Sequence, residues 1–237
     1  MSLWKIAWRS IQQRAVASGL TAFAVGLGVA LVVAVLVIHG VVDKSFRRGG
    51  EGYDLIVGPK GGKLQLILNS VYYLEQSPGL LPYSYYEENF KEKLASFGPH
   101  ITTAVPICMG HHFPNTSYQV VGTTSDFFDE LHYRDNREYT FSEGENFKPD
   151  GLYDAVIGSE VAKRTGMTIG STFKAAAGQV DRPTIHQEDF NVVGVLDPTS
   201  TPVDRALYVN LKGFYEIHGI SHEEIEDLPD ALLPAGP

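Results

Sequence analysis

A single cysteine, Cys108, stands in 237 residues. One thiol cannot close an internal disulfide, so no covalent staple frames the fold, although an oxidising compartment is not excluded by that. Cys108 reads as a small core residue. Tryptophan is nearly as scarce: there are two, and both stand at the N-terminus, as Trp4 and Trp8. Positive charge is short as well, with 19 Lys and Arg against 28 Asp and Glu and a net charge of -9. Lys5, Arg9 and Arg14 precede the longest apolar run, so the chain beyond that run is more acidic than the total. A nucleic-acid partner needs a basic face to neutralise phosphates, and this composition argues against one.

Catalytic signatures are missing too. No Gly-x-Ser-x-Gly elbow occurs, and the nearest fragment, Gly158-Ser159-Glu160, reads as a helix cap. No His-Glu-x-x-His occurs. His111 and His112 are adjacent, so on a strand they point to opposite faces and do not readily share a metal. His186, Glu188 and Asp189 fall close together, in a stretch typical of exposed loops. Ser159 and Lys163 are four apart rather than the three of a Ser-x-x-Lys pair, and Glu143 and Glu145 lack the spacing of a calcium loop. The glycine-rich run Gly58-Pro59-Lys60-Gly61-Gly62 is a turn and not a phosphate loop. Gly62-Lys63 is followed by Leu64, and Val57 stands where the first glycine would be needed. The sequence predicts no catalytic residue, no metal ligand and no bound cofactor.

Charge is absent altogether from Ala15 to Val42, and here the absence is the signal. From Leu20 to Ile38 every residue is Leu, Thr, Ala, Phe, Val, Gly or Ile. As an α-helix this run is roughly 28 Å long, close to the thickness of a hydrocarbon core. A buried core helix and a cleaved signal peptide are the rivals. The run is too long for the second and leaves through His39-Gly40-Val41-Val42-Asp43, with no small-residue cleavage pattern. It reads as an uncleaved signal anchor over residues 18–42.

Residues 1–17 precede it as a helix of another kind. Trp4, Trp8 and Ile11 recur at i, i+4 and i+7, with Lys5, Arg9 and Gln12 on the opposite side. Tryptophan on the apolar face of a basic helix suits the headgroup zone, so Trp4, Lys5, Trp8, Arg9 and Arg14 are the expected contacts with membrane lipid. Within the span, Ser18, Ala22, Gly26, Ala30 and Ala34 recur every four residues. Helices in lipid gain nothing by hiding apolar surface, and small side chains let another helix approach closely. The stripe therefore predicts a partner helix, of this chain or another. Orientation is a near tie, because Lys44, Arg47 and Arg48 flank the far end as Lys5, Arg9 and Arg14 flank the near one.

Residues 43–237 read as a mixed domain. Tyr53 to Val57 reads as a strand, Leu64 to Leu74 as a helix, and Ser84-Tyr85-Tyr86-Glu87 as a capping box opening a helix through Phe90, Leu94 and Phe97. Ile101 to Phe113 and Tyr118 to Gly122 read as paired strands about a turn at Pro114-Asn115. A polar loop is expected over Glu138 to Gly151. Then come a strand at Ala155 to Ile157, a short helix from Ser159 to Gly166, and strands at Thr172 to Lys174, Phe190 to Leu196 and Ala206 to Val209. A helix through Phe214 and Ile217 follows, and a second capping box at Ser221 to Glu224. The elements lack a regular βαβ rhythm, which predicts an α+β class.

The order of these pieces resembles a known family. Leu3-Trp4-Lys5-Ile6-Ala7-Trp8-Arg9-Ser10-Ile11 with Leu20-Thr21 and the Gly/Ala/Val-rich span looks like the opening of permease subunits of MacB/FtsX-type ABC transporters. Ala155 to Ala162 with Gly166 and Gly170, Phe190 to Leu196, and Ala206-Leu207-Tyr208-Val209-Asn210 resemble that family's periplasmic core domain. The resemblance implies a cytoplasmic N-terminus at a bacterial inner membrane. It implies a two-lobed α+β domain outside, with the second lobe inserted within about residues 125–185. It further implies a separate ABC ATPase subunit and a permease homodimer or heterodimer. Such permeases have four spans, with the large domain between the first and second. This chain stops at Pro237, so it is expected to be a shortened form or a fragment. The leading expectation is a permease that couples ATPase motion to its outer domain for export, extraction or signalling. The alternative is a single-pass anchored binding or scaffold protein that has borrowed the fold.

Overall fold

Unbroken apolar sequence with high helical content needs little tertiary help to stay helical, and the N-terminal unit shows this. In the computed structural model, which describes residues 3–49, 52–74, 79–91, 97–179 and 182–217, helix α1 (Leu3–Gln13) is followed by helix α2 (Ala15–Gly49). A turn at Arg14 separates them. Helix α2 has 35 residues, a length of about 52 Å. Its stretch Ala15–Val42 is long and apolar enough to cross a membrane, and none of it is buried. A helix that hides none of its apolar surface is not the core helix of a soluble fold. This unit, Met1–Arg48, is separate from the second, Gly49–Pro237.

The second unit holds the sheet. Its strands are β1 (Ile107–His112), β2 (Gln119–Thr123), β3 (His132–Tyr133), β4 (Arg137–Glu138), β5 (Phe141–Gly144), β6 (Asp154–Ile157), β7 (Thr172–Phe173), β8 (Ala176–Gln179), β9 (Arg182–Ile185), β10 (Phe190–Leu196) and β11 (Ala206–Asn210). Strands β3 and β4 pair with each other, and the rest form one mixed sheet in the order β5-β10-β6-β11-β2-β1-β8-β9, with β7 also on β10. The β10–β6 and β11–β2 pairs are parallel. Residues 125–185, where an inserted lobe is expected, contribute the separate β3–β4 hairpin and strands β5 to β9 of the main sheet. Helices α3 (Lys63–Ser70), α4 (Tyr83–Tyr86), α5 (Asp126–Asp129), α6 (Ser159–Thr165) and α7 (Leu211–Glu216) complete a mixed α+β domain.

Side-chain alternation divides the core into two layers. On β11, Leu207 and Val209 join Val120, Ile157, Phe190 and Phe214, while Ala206 and Tyr208 join Val121, Val156, Phe127 and Phe128 on the other face. The strand is buried along its whole length, as expected of a central strand covered on both sides. Helix α7 lies close over β2: a Cβ on Gly122 would sit 2.7 Å from Phe214 Cγ, so only glycine fits that crossing.

Several expectations need correction. Tyr53 to Val57 forms no strand; it finds no ladder partner, and Leu55 and Val57 remain exposed. The helix expected from Leu64 ends at Ser70, four residues early. The capping box at Ser84 does not operate. Pro82, with φ fixed in the helical range, is the N-cap residue and places Ser84 inside the helix. One turn of α-helix then passes into a π-helical turn at Glu87–Lys91. The cap before α6 is Gly158 and not Ser159, although Gly166 ends that helix at φ +74, as its sequence position suggested. The loop expected over Glu138 to Gly151 contains β5, because Phe141 packs its ring against Phe128. The β8–β9 hairpin gave no signal, being built on alanine and glycine. Leu94 and the Ser221 to Glu224 box lie outside the described residues.

Candidate functional site

The N-terminal helices carry the residues expected to meet lipid and a partner helix. On α1, Trp4 is 81% exposed and Trp8 59% exposed, and Lys5 and Arg9 are exposed as well. The predicted packing stripe stays uncovered: Ala22, Gly26, Ala30 and Ala34 are exposed and Ser18 is half-buried. A Cβ on Gly26 would meet nothing within 4 Å. Arg14, Ser18, Ala22 and Gly26 line one shallow groove with Ala17, Thr21 and Val25. Thr21 turns its hydroxyl back to the Ala17 carbonyl at 3.0 Å, so its polarity is absorbed within the helix.

After Arg48 in sequence, Tyr53 reaches a buried cluster of tyrosines. Its hydroxyl hydrogen-bonds those of Tyr73 and Tyr139, and Tyr73 Oη lies 3.0 Å from Tyr208 Oη on β11. Local geometry puts Tyr73 there. The residue adopts φ +56 just past α3, and its N–H donates to the Asn69 carbonyl at 3.1 Å. This is the left-handed closing position normally taken by glycine. A bulky residue is disfavoured in that conformation, and the reason it stands here is its ring. The ring is buried edge-on to Tyr208 at 6.4 Å. Tyr208 also meets Phe127 and Phe128, each at 5.1 Å, and Tyr139 packs tilted against Phe127 and edge-on to Phe128. Desolvation by burial raises every one of these phenols: Tyr53 to about 12, and Tyr73, Tyr139 and Tyr208 upward as well. They remain neutral donors and acceptors at any physiological pH. Sequence reading missed the cluster, since partners such as Tyr73 and Tyr208 stand 135 positions apart.

Other candidates resolve as follows. Ser159 lines a shallow cavity of about 380 Å³ with Ser142, Glu143, Ala162, Met167 and Leu196. Cys108 is buried in the core, as expected, and burial pushes its thiol up to about 12. His111 and His112 are both buried, and His111 meets His186 across the sheet, with 2.9 Å between their Nε2 atoms. Glu188 and Asp189 do not join them in a group of metal-type ligands, and no group of three or more such ligands occurs among the described residues.

Comparison with known families places the whole arrangement. The family of MacB-like periplasmic core domains matches residues 18–226, and the chain belongs to it. With its N-terminal apolar helix, the chain corresponds to the first span and outer domain of a MacB/FtsX-type permease, a membrane component of ABC transporters whose ATPase is a separate subunit. It is a membrane-anchored protein. No curated protein matches it significantly.

Proposed function

We propose that this chain is the leading part of an ABC-transporter permease that passes ATPase-driven motion through its membrane helix to the outer domain, for export, extraction or signalling. The observation that carries the reading is the family match, which runs without interruption from the span into the domain. Two structural features support it. Helix α2 continues as one helix past Val42 to Gly49, so displacement of the span is transmitted along a rigid rod for about 10 Å beyond the apolar stretch. Four residues on from Gly49, Tyr53 is bound into the tyrosine cluster that ends on the central strand β11.

In this reading the N-terminus is cytoplasmic at a bacterial inner membrane and α1 lies on the inner leaflet. The stripe from Ser18 to Ala34 packs against another span of the permease or a second permease chain. ATP hydrolysis belongs to the partner subunit. Purifying the full-length protein from membranes in mild detergent tests this: an ABC ATPase should co-purify in stoichiometric amount. Recovery of the permease chain with no ATPase, under conditions that keep comparable complexes intact, would refute it.

A further inference from the structure

The His111–His186 pair packs on the core layer opposite the tyrosine cluster, and nothing in the permease reading uses it. Its assembly is built into the sheet. Between Cys108 and His111 the ladder to β2 gains an extra residue, with Gly110 at φ +142. That bulge turns His111 onto the face of Cys108, under α7. There the ring stands edge-on to Phe214, with centroids 4.8 Å apart at 84°. His186 comes from the other side, immediately after the sheet-edge strand β9, and its N–H is fixed on the Ala175 carbonyl at 3.0 Å. The imidazole centroids are 4.8 Å apart and the Nε2 atoms 2.9 Å.

Two nitrogen lone pairs facing at that distance repel unless something positive stands between them. A proton serves, as an N–H···N hydrogen bond between opposite tautomers. A metal ion serves equally. With metal–nitrogen bonds of about 2.05 Å, a nitrogen separation of this size subtends about 90°, the cis angle of a square-planar or octahedral centre. A tetrahedral zinc centre requires about 3.35 Å, an opening of only about 0.4 Å. His186 is half-buried on a segment at the edge of the sheet, so it has room to make that adjustment.

We propose that His111 and His186 form a two-imidazole chelate for a divalent transition-metal ion of the Cu2+, Ni2+ and Zn2+ class. Neutral imidazole suits these ions, whereas calcium and magnesium want oxygen. His111 is 4% exposed and holds the inner position. His186 is half-buried and holds the outer position.

The full chain, purified in detergent through a tag without histidine, is titrated separately with Cu2+ and Zn2+. The expected result is binding of one ion that is lost from one site on mutation. The Cu2+ electron spin echo modulation should show two equatorial imidazoles, and Zn2+ should raise the melting temperature. His186→Gln, checked to have the wild-type melting temperature without metal, should weaken binding by ~10-fold or more, cancel the thermal shift and leave at most one imidazole. His132→Gln, on the distant β3–β4 hairpin, should change nothing. Equal affinity and the same two-imidazole signal in His186→Gln would overturn the proposal, as would a wild-type spectrum with no pair of imidazoles.

Discussion

Tyr53 ties its own stretch of the domain to the tyrosine cluster. Its phenol is half-buried, yet it bridges Tyr73 and Tyr139. Tyr53→Phe keeps the ring and removes the hydroxyl, leaving two buried partners short of a hydrogen bond. The expected cost is about 1 kcal/mol of stability, read as a lower denaturation midpoint with an unchanged slope. An unchanged midpoint would mean the hydroxyl is solvated and holds nothing. The same chemistry sets a pH limit. Cys108 is raised from 9.0 to about 12, Tyr53 and Tyr86 from 10.0 to about 12, and Tyr73, Tyr139 and Tyr208 also upward. Above pH 9 the unfolded chain therefore loses protons that the folded chain keeps, and by linkage stability falls as pH rises. These groups contribute their full stabilisation below pH 9 and lose it progressively through pH 10 to 12. Denaturation midpoints measured from pH 7 to 11 should be flat at first and then decline, and a midpoint that rises above pH 10 would contradict the assignment.

At the scale of elements, α1 offers a direct optical test, because Trp4 and Trp8 are the only tryptophans in the chain. Intrinsic tryptophan fluorescence then reports this helix alone. Reconstituted in lipid, the emission should be blue-shifted and quenched most strongly by bromine placed near the glycerol region, where interfacial tryptophan settles. Emission at the wavelength of water-exposed indole, untouched by brominated lipid, would remove α1 from the interface. Elements of this kind were legible in the sequence because one property dominates them. An uncharged apolar run specifies α2, and the run Phe190 to Leu196 specifies β10 to the residue. Legibility failed where a distant partner decides. Phe141 becomes part of β5 only because β10 and Phe128 are there to receive it. Tyr53 to Val57 has strand-forming residues but pairs with no strand, and Tyr53 is held instead by the tyrosine cluster. The Ala176–Gln179 hairpin partner of β9 carries no bulky side chain to announce it. The tyrosine cluster and the His111–His186 pair were invisible for the same reason: residues over 70 positions apart meet only once the sheet is formed.

The whole molecule comprises an N-terminal apolar helix long enough to cross a membrane and a mixed α+β domain of the MacB-like periplasmic core family. The family match fixes what kind of protein this is; the coupling of ATPase motion to the outer domain is the claim that most needs a direct test. The structure suggests a clean one. Cys108, the one cysteine in these 237 residues, is buried with a raised thiol, so it resists labelling, and any cysteine elsewhere in the full-length permease is replaced by serine. Leu55, 75% exposed on the segment after Tyr53, can be replaced by cysteine and spin-labelled in the full-length permease, reconstituted with its ATPase in nanodiscs. Spectra are then compared without nucleotide and with ATP and vanadate. Coupling predicts a change in label mobility on trapping, and loss of that change when a flexible glycine-serine insert separates Gly49 from Gly52. Identical spectra in a complex with full ATPase activity would contradict the account.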